Sequence, residues 1–345
     1  MRTTGPTSRP ASPPGPSWKP SGVDELVRPA LRAALERLGD PVRTIAEYHF
    51  GWRSADGKPT EAGAGKMIRP ALVLLSARAA GGSEADAVPE AVAMELLHNF
   101  SVLHDDIMDR DRVRRHRPTA WTVFGIPQAV LAGDALLALS LEVVADRPAH
   151  ELAVVNRTLL ELVNGQIADI SFEHRHDVGL AECEAMAQAK TGTLISCCCA
   201  LGAFAASANE DRAESFAEFG RQLGHAFQLV DDVLGIWGDP GTTGKSTHSD
   251  LAVRKKTLPV VAALTSDTPA AYELAAQYRG EETLAASDLT RMAELVVQAG
   301  GRAWAEQQAT AALRNASLAL QRARPAEGPA RCLTDLADFI THRDR

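Results

Sequence analysis

Two clusters of aspartates stand in stretches that otherwise read as apolar helix. The first runs His104-Asp105-Asp106-Ile107-Met108-Asp109-Arg110, with Arg114 and Arg115 close behind. The second runs Gln228-Leu229-Val230-Asp231-Asp232 and is followed by Asp239, Lys245, Asp250, Lys255 and Lys256. Carboxylates in apolar surroundings are costly unless something compensates them. On a helix Asp105 and Asp109 are i, i+4 neighbours, and Asp106 and Asp109 are i, i+3. Their carboxylates therefore converge, and repel unless a cation sits between them. Hard oxygen donors with few His or Cys residues nearby suit Mg2+ rather than zinc. Arginines and lysines beside such a metal point to a phosphate or diphosphate ligand. A solvated acidic face is the plainer alternative, and the apolar Ala91–Leu103 segment just before the first cluster weighs against it.

Helices must position these groups. Val23–Leu38 has apolar residues at i, i+3, i+4 spacing, and residues 51–65 are Gly-rich, polar and loop-like. Further helices are predicted over Lys66–Ala80, Ala85–Met108, 127–145, 150–173, 180–206, 211–236, 257–267, 269–279, 287–297, 301–323 and 329–342. The first cluster thus falls at a helix C-terminus, where the dipole disfavours negative charge and cations must offset it. No alternating strand pattern is visible. With aromatics at 5% and Ala and Leu abundant, the 345-residue chain reads as all-α, a single-domain helical bundle over 23–345. Residues 1–22, rich in Pro, Ser, Thr and Gly, read as a disordered leader. A net charge of -8 argues against nucleic acid as the main partner. No uninterrupted apolar run approaches the ~20 residues of a bilayer span, so no transmembrane segment is expected. Five cysteines, with Cys197, Cys198 and Cys199 adjacent, form no disulfide framework and read as small packing residues in a reducing cytoplasm.

Asp105–Asp109, with Arg114-Arg115 and Arg117-Pro118-Thr119 behind it, resembles the first aspartate-rich motif of the trans-isoprenyl diphosphate synthases, or polyprenyl synthetases. Gly65-Lys66-Met67-Ile68-Arg69-Pro70 resembles that family's GKxxRP signature, Gln166 and Asp169 its GQxxD, and Lys190-Thr191 its KT pair. Phe227-Gln228 with Asp231-Asp232 resembles the second motif. Gly244-Lys245, Asp250-Leu251 and Lys255-Lys256-Thr257 resemble the basic lid behind it. The pattern is nearest to geranylgeranyl diphosphate synthases. The resemblance implies the isoprenoid-synthase bundle with a central active-site cavity, a homodimer, and Mg2+-dependent head-to-tail condensation of isopentenyl diphosphate with an allylic diphosphate. It also implies roles. Asp105, Asp109 and Asp231 hold the metal, supported by Asp106 and Asp232. Arg114, Lys190, Thr191 and Lys255, with Gln228 and Lys245, serve the allylic diphosphate. Lys66, Arg69, His98 and Arg115 hold isopentenyl diphosphate. Asp105, Asp109, Lys190, Asp231 and Lys255 are the implied catalytic set. His98 by its apolar surroundings reads equally as a core histidine, and Gln166 and Asp169 read equally as cross-links between helices. A farnesyl diphosphate synthase, a class I terpene cyclase and a non-catalytic partner subunit of another synthase are the alternatives.

One position departs from the pattern. Gly235 stands where the family's second motif has a third acid, which puts tight binding of one magnesium in doubt. Asp239, another turn on, is the candidate substitute, and Gly235→Asp is expected to leave activity within about tenfold. Gly241-Thr242-Thr243-Gly244-Lys245-Ser246 imitates a P-loop, but Asp239 occupies the first glycine position and a helix precedes it, which excludes nucleotide binding. The stretch 238–256 reads instead as a lid. Ser101 and Phe100, four and five residues before Asp105, are the candidate chain-length residues. Phe100, ~7.5 Å deeper along the axis, would be the floor that stops growth at C20.

Overall fold

The computed structural model of the chain describes residues 19–20, 22–60, 65–239, 247–280 and 282–341. Most of the predicted leader, and Lys245 with the imitation P-loop, lie outside the described residues. Helices carry the fold: α1 (Arg28–Leu35), α2 (Asp40–His49), α3 (Ile68–Ala80), α4 (Val88–Met108), α5 (Ala120–Phe124), α6 (Ile126–Val144), α7 (Ala149–Glu173), α8 (Leu180–Ala187), α9 (Thr193–Ala205) and α10 (Glu210–Trp237). Then follow α11 (Ser249–Ala252), α12 (Leu258–Leu264), α13 (Pro269–Arg279), α14 (Ala286–Gln298), α15 (Gly301–Arg322) and α16 (Glu327–Thr341). The innermost helices are α3 and α9. Leu194 through Ala203 are all buried, as is nearly every residue of α3 from Pro70 onward. A helix apolar on all sides must be enclosed by others, and α4 and α10 pack against this centre, with α15 against α10. The cysteine triplet lies within it. All three thiols are free and buried, and desolvation pushes those of Cys197 and Cys199 up to about 12, so they pack rather than react.

The helical reading of the sequence holds, apart from the short α5 and α11, which the sequence reading did not assign, and three further differences. Residues 39–50, unassigned from sequence, contain α2, although Val42, Ile45 and Ala46 already stand at i, i+3, i+4. A two-stranded antiparallel ladder, β1 (Val113–Arg114) with β2 (Arg117–Pro118), follows the first aspartate cluster; strands of two residues cannot display alternation. The third concerns α6. Its 19 residues, with mean hydropathy 1.4, are long and apolar enough by composition to cross a bilayer, contrary to the expectation from uninterrupted runs. Asp134 and Glu142 break the run without lowering the average enough to matter. One face of α6, with Ala129, Ala132, Gly133 and Leu136, is buried, and α6 packs on α4. Ile126 and Leu131 remain exposed.

At the end of α4 far from the aspartates, Glu90 is wholly buried beside Glu151, and Arg147 reaches both. Burial and then the neighbouring Glu151 push the Glu90 carboxyl well above its ordinary value. A native state that keeps a proton the unfolded chain has released loses stability as pH rises through the native value. Thermal stability should therefore fall between mildly acidic and mildly alkaline pH. Glu90→Gln, which is neutral throughout, should flatten that slope and raise Tm at pH 8 by roughly 2–4 °C per kcal/mol recovered. Thermal melts of both proteins at pH 5 and pH 8 check this, and parallel slopes would refute it.

Candidate active site

The last turn of α4 presents its three aspartates differently. Asp109 caps the helix, its amide donating to the Asp105 carbonyl over 2.8 Å, and its carboxylate is exposed. Asp105 is half-buried. Desolvation raises its carboxyl pKa, Lys190 opposes the rise and Asp109 adds to it. Asp106 turns inward and accepts a hydrogen bond from Arg114 Nε, while Arg114 Nη2 reaches Asp111 at 3.5 Å. Burial pushes the Asp106 carboxyl up to about 6 despite Arg114, and its Oδ2 has no hydrogen-bond partner among the described residues. Asp106 is thus engaged with the arginine that the sequence assigned to substrate.

Across the cleft, Lys190 and Thr191 sit on a widened helical turn, Gln188–Gly192, between α8 and α9. Such turns interrupt regular helices most often where side chains must be re-aimed. Gly165 of α7 lets this turn come close: a Cβ there would lie 2.6 Å from the Lys190 amide nitrogen and 2.9 Å from the Ala189 carbonyl carbon. The approach brings Lys190 Nζ to 2.6 Å from Asp169 Oδ2, one turn along α7. Thr191 Oγ1 donates to Gln228 Oε1 (2.6 Å), and Gln228 Nε2 donates to Asp232 Oδ1 (2.7 Å). The other Asp232 oxygen accepts the Leu258 amide at 2.8 Å, and burial pushes its carboxyl up to about 7. Asp232, like Asp106, spends its oxygens inside the protein, leaving Asp105, Asp109 and the exposed Asp231 as the carboxylates facing outward. Gln166 Nε2 lies 3.9 Å from Met108 Sδ, so it and Asp169 do cross-link helices at the rim.

Lys255 ties the two clusters together. Burial alone would lower its pKa, but Asp169, Asp250, Asp232 and Asp109 surround it and hold it above its ordinary value. A single ammonium thus feels a carboxylate of each cluster, Asp109 of the first and Asp232 of the second. Among the described residues no three acidic, His or Cys side chains close on one point as a ready-made metal cage.

A second, cationic pocket lies behind the first motif. The β1–β2 hairpin turns through Arg115 and His116, both at positive φ (51° and 60°), the signature of a tight I′ turn normally built from Asn or Gly. Holding two non-glycine residues there costs of order 1 kcal/mol each. The turn aims the Arg115 guanidinium against Gly65, next to Lys66, whose ammonium rides 5.0 Å over the Phe339 ring. Tyr48 Oη donates to the Pro118 carbonyl (2.7 Å) and ties the hairpin to α2. Desolvation, then Arg69 and Arg115, drive the His98 pKa well below its ordinary value, so His98 is a neutral hydrogen-bonding group at pH 7. Two residues here escaped the sequence reading. His49 at the end of α2 is held to about 3 by burial, Arg115 and Arg114. Glu95 is buried beneath Arg69 and Arg115 and accepts from Asn99 Nδ2 at 3.0 Å. Glu95 was legible as the lone acid three residues before His98 in an apolar run; His49 lay in the unassigned segment.

The residues proposed to set chain length occupy different sides of α4. Phe100 is buried edge-on to His104 (ring centroids 4.9 Å), and His104 Nε2 is 3.0 Å from the Val130 carbonyl of α6. Ser101 is half-buried and donates to the His98 carbonyl at 2.8 Å.

At Gly235 the structure corrects one expectation and adds a neighbour. Helix α10 ends at Trp237, so Asp239 lies past the helix rather than one turn further along it. A Cβ on residue 235 would meet Asp250 Oδ2 at 2.1 Å and Asp250 Cγ at 2.6 Å. Gly235→Asp therefore has to move the Asp250 side chain, whose carboxylate is a flexible tip able to swing aside.

Known proteins resemble this chain in sequence and fold. The sequence profile described as polyprenyl synthetase matches residues 59–296. The (2E,6E)-farnesyl diphosphate synthase of Mycobacterium tuberculosis (strain ATCC 25618 / H37Rv) is 43% identical over 326 residues, covering 92% of this chain and 91% of that one. The geranylgeranyl diphosphate synthase of the same organism is 46% identical over 278 residues, 79% of each chain. The crystal structure of a polyprenyl synthetase from Streptomyces coelicolor A3(2) superposes with a TM-score of 0.87 at 43% identity, covering 92% of this chain and 96% of that one.

Proposed function

Because this chain belongs to the polyprenyl synthetase family and is a prenyltransferase, we propose that it condenses isopentenyl diphosphate head-to-tail with an allylic diphosphate and releases chiefly the C20 product. The observation that carries this reading is the pairing of two unlike pockets: an acidic cleft with Lys190 and Lys255 inside it, and a separate cationic pocket of Lys66, Arg69, Arg115 and neutral His98. A class I cyclase ionises one diphosphate and has no use for the second pocket. A non-catalytic subunit has no use for the first.

Asp105, Asp109 and Asp231 are the residues that would hold Mg2+, which when bound neutralises charge on the departing diphosphate. Lys190 and Lys255, fixed by Asp169 and the surrounding carboxylates, present ammonium groups to the same leaving group without rearranging. In the second pocket Arg69 and Arg115 grip the other diphosphate, Glu95 beneath them sets their positions, and His98 donates one N–H. The apolar face of α4 below Asp105, with Leu97 and Met94 fully buried, keeps water from the cationic carbon. Leu160, Val163, Ile167 and Ile170 form one exposed apolar stripe along α7, and this supports pairing with a second copy of the chain. The free thiols suit a reducing cytoplasm.

Purified protein supplied with Mg2+, isopentenyl diphosphate and each of the C5, C10 and C15 allylic primers tests the reading. Chain elongation upholds it. Hydrocarbon from one diphosphate points to a cyclase, and silence with every primer to a partner subunit. A C15 product is the second reading, favoured by the 43% identical relative named as a farnesyl diphosphate synthase. Phe100→Ala should lengthen the dominant product by at least one C5 unit on mass spectrometry, because it removes the ring that fills the α4–α6 side. An unchanged distribution would assign Phe100 to packing alone.

A further inference from the structure

Arg254, Lys255 and Lys256 follow one another in the chain, yet their cationic groups go to three places. Neighbouring cations aimed into one cleft would repel, so where the outer two go decides how the middle one stands. Lys255 is the ammonium that Asp169, Asp250, Asp232 and Asp109 surround. Lys256 is buried, and its Nζ donates to the carbonyl of Glu173, the last residue of α7, at 3.1 Å. Arg254, at positive φ (49°), donates from Nε to the Gln277 carbonyl (3.0 Å) in the last turn of α13. Its Nη2 donates to the Glu282 carbonyl just beyond that helix, at 2.8 Å. The final carbonyls of a helix lack intrahelical partners and carry the negative end of its dipole, so each is a seat for a cation. Two more bonds hold the backbone between these anchors. Cys183 Sγ of α8 donates to the Lys256 carbonyl (3.4 Å), and Tyr278 Oη of α13 donates to the Lys255 carbonyl (3.1 Å). Glu173 stands one turn beyond Asp169. Lys256 thus pins this strap to the same helix whose Asp169 faces Lys255.

We propose that Lys256 and Arg254 are positioning residues: seated on the C-terminal carbonyls of α7 and α13, they clamp the strap at two points and fix the Lys255 ammonium against the allylic diphosphate. The proposal rests on the synthase reading above for the identity of that ligand. It gives Lys256 no contact with substrate. The effect passes through Lys255, so it reaches the acidic cleft and leaves the pocket of Lys66, Arg69, Arg115 and His98 alone.

Calorimetric titration of the full-length protein with inorganic pyrophosphate, with and without Mg2+, tests this without turnover. Lys256→Met keeps the length of the side chain and removes the ammonium. It should weaken the Mg2+-dependent part of pyrophosphate binding by about tenfold, while binding without the metal, which the cationic pocket supports, stays at wild-type strength. In steady-state elongation the same variant should raise KM for the allylic diphosphate and lower kcat, with KM for isopentenyl diphosphate unchanged. Lys256→Arg, which can still donate to the last carbonyls of α7, should recover most of the loss. A thermal melt accompanies each sample. Arg254→Met, at the other anchor, carries the same expectation and stands in should Lys256→Met fail to fold. Wild-type binding in Lys256→Met, a loss shared equally by both pockets, a loss explained by a fall in Tm, or no recovery in Lys256→Arg would each overturn the proposal. Any of these beside an elongating wild type leaves the synthase reading standing. A wild type that neither elongates nor binds pyrophosphate with Mg2+ sinks both.

Discussion

Asp105→Asn will lower kcat for elongation by about 10³-fold or more while leaving the fold intact. The half-buried carboxylate is already penalised by desolvation and by Asp109, so the metal-free protein loses nothing when that charge is removed. Its Tm should be unchanged or slightly higher. What disappears is the anionic oxygen at the centre of the first wall, and an amide binds Mg2+ far more weakly than a carboxylate does. Steady-state kinetics with a thermal melt on the same samples separate the two effects. A drop in Tm that accounts for the lost activity would make Asp105 part of the scaffold.

Gly165→Ala will damage both fold and chemistry through the turn that residue 165 packs against. Its Cβ would meet backbone atoms of Ala189 and Lys190, which cannot swing aside as a side-chain tip can. Overpacking of this kind costs about 1–3 kcal/mol. It also moves the widened turn away from α7, parting Lys190 from Asp169 and shifting Thr191 against Gln228. A misplacement of about 1 Å is enough for a roughly 10²-fold loss in kcat. Kinetics and melting of Gly165→Ala beside Asp169→Asn test the order of cause. If the glycine variant keeps full activity, the close approach matters to packing only.

The helices and the two acidic walls were legible because their signals are local: apolar spacing at i, i+3, i+4, and acids where apolar residues are the rule. What stayed hidden depends on chain segments meeting at a distance. The hairpin that aims Arg115 is too short to show a period. That Asp106 and Asp232 turn their oxygens inward follows from Arg114 and the Leu258 amide, the latter 26 residues along the chain. The residue over Gly235 could not be guessed from one helix, because Asp250 arrives from a separate segment. Counting turns leads to Asp239 only if the helix continues, and it stops at Trp237.

The helix that carries Gln166 and Asp169 toward the cleft also carries Ile167 and Ile170 on its outer side. Whatever seats itself on those isoleucines braces the backbone that holds Asp169 against Lys190. With the proposed second copy in that seat, pairing and turnover would be coupled mechanically, and specific activity should decline when the enzyme is diluted below the dissociation constant of the proposed pair, well before any helix melts.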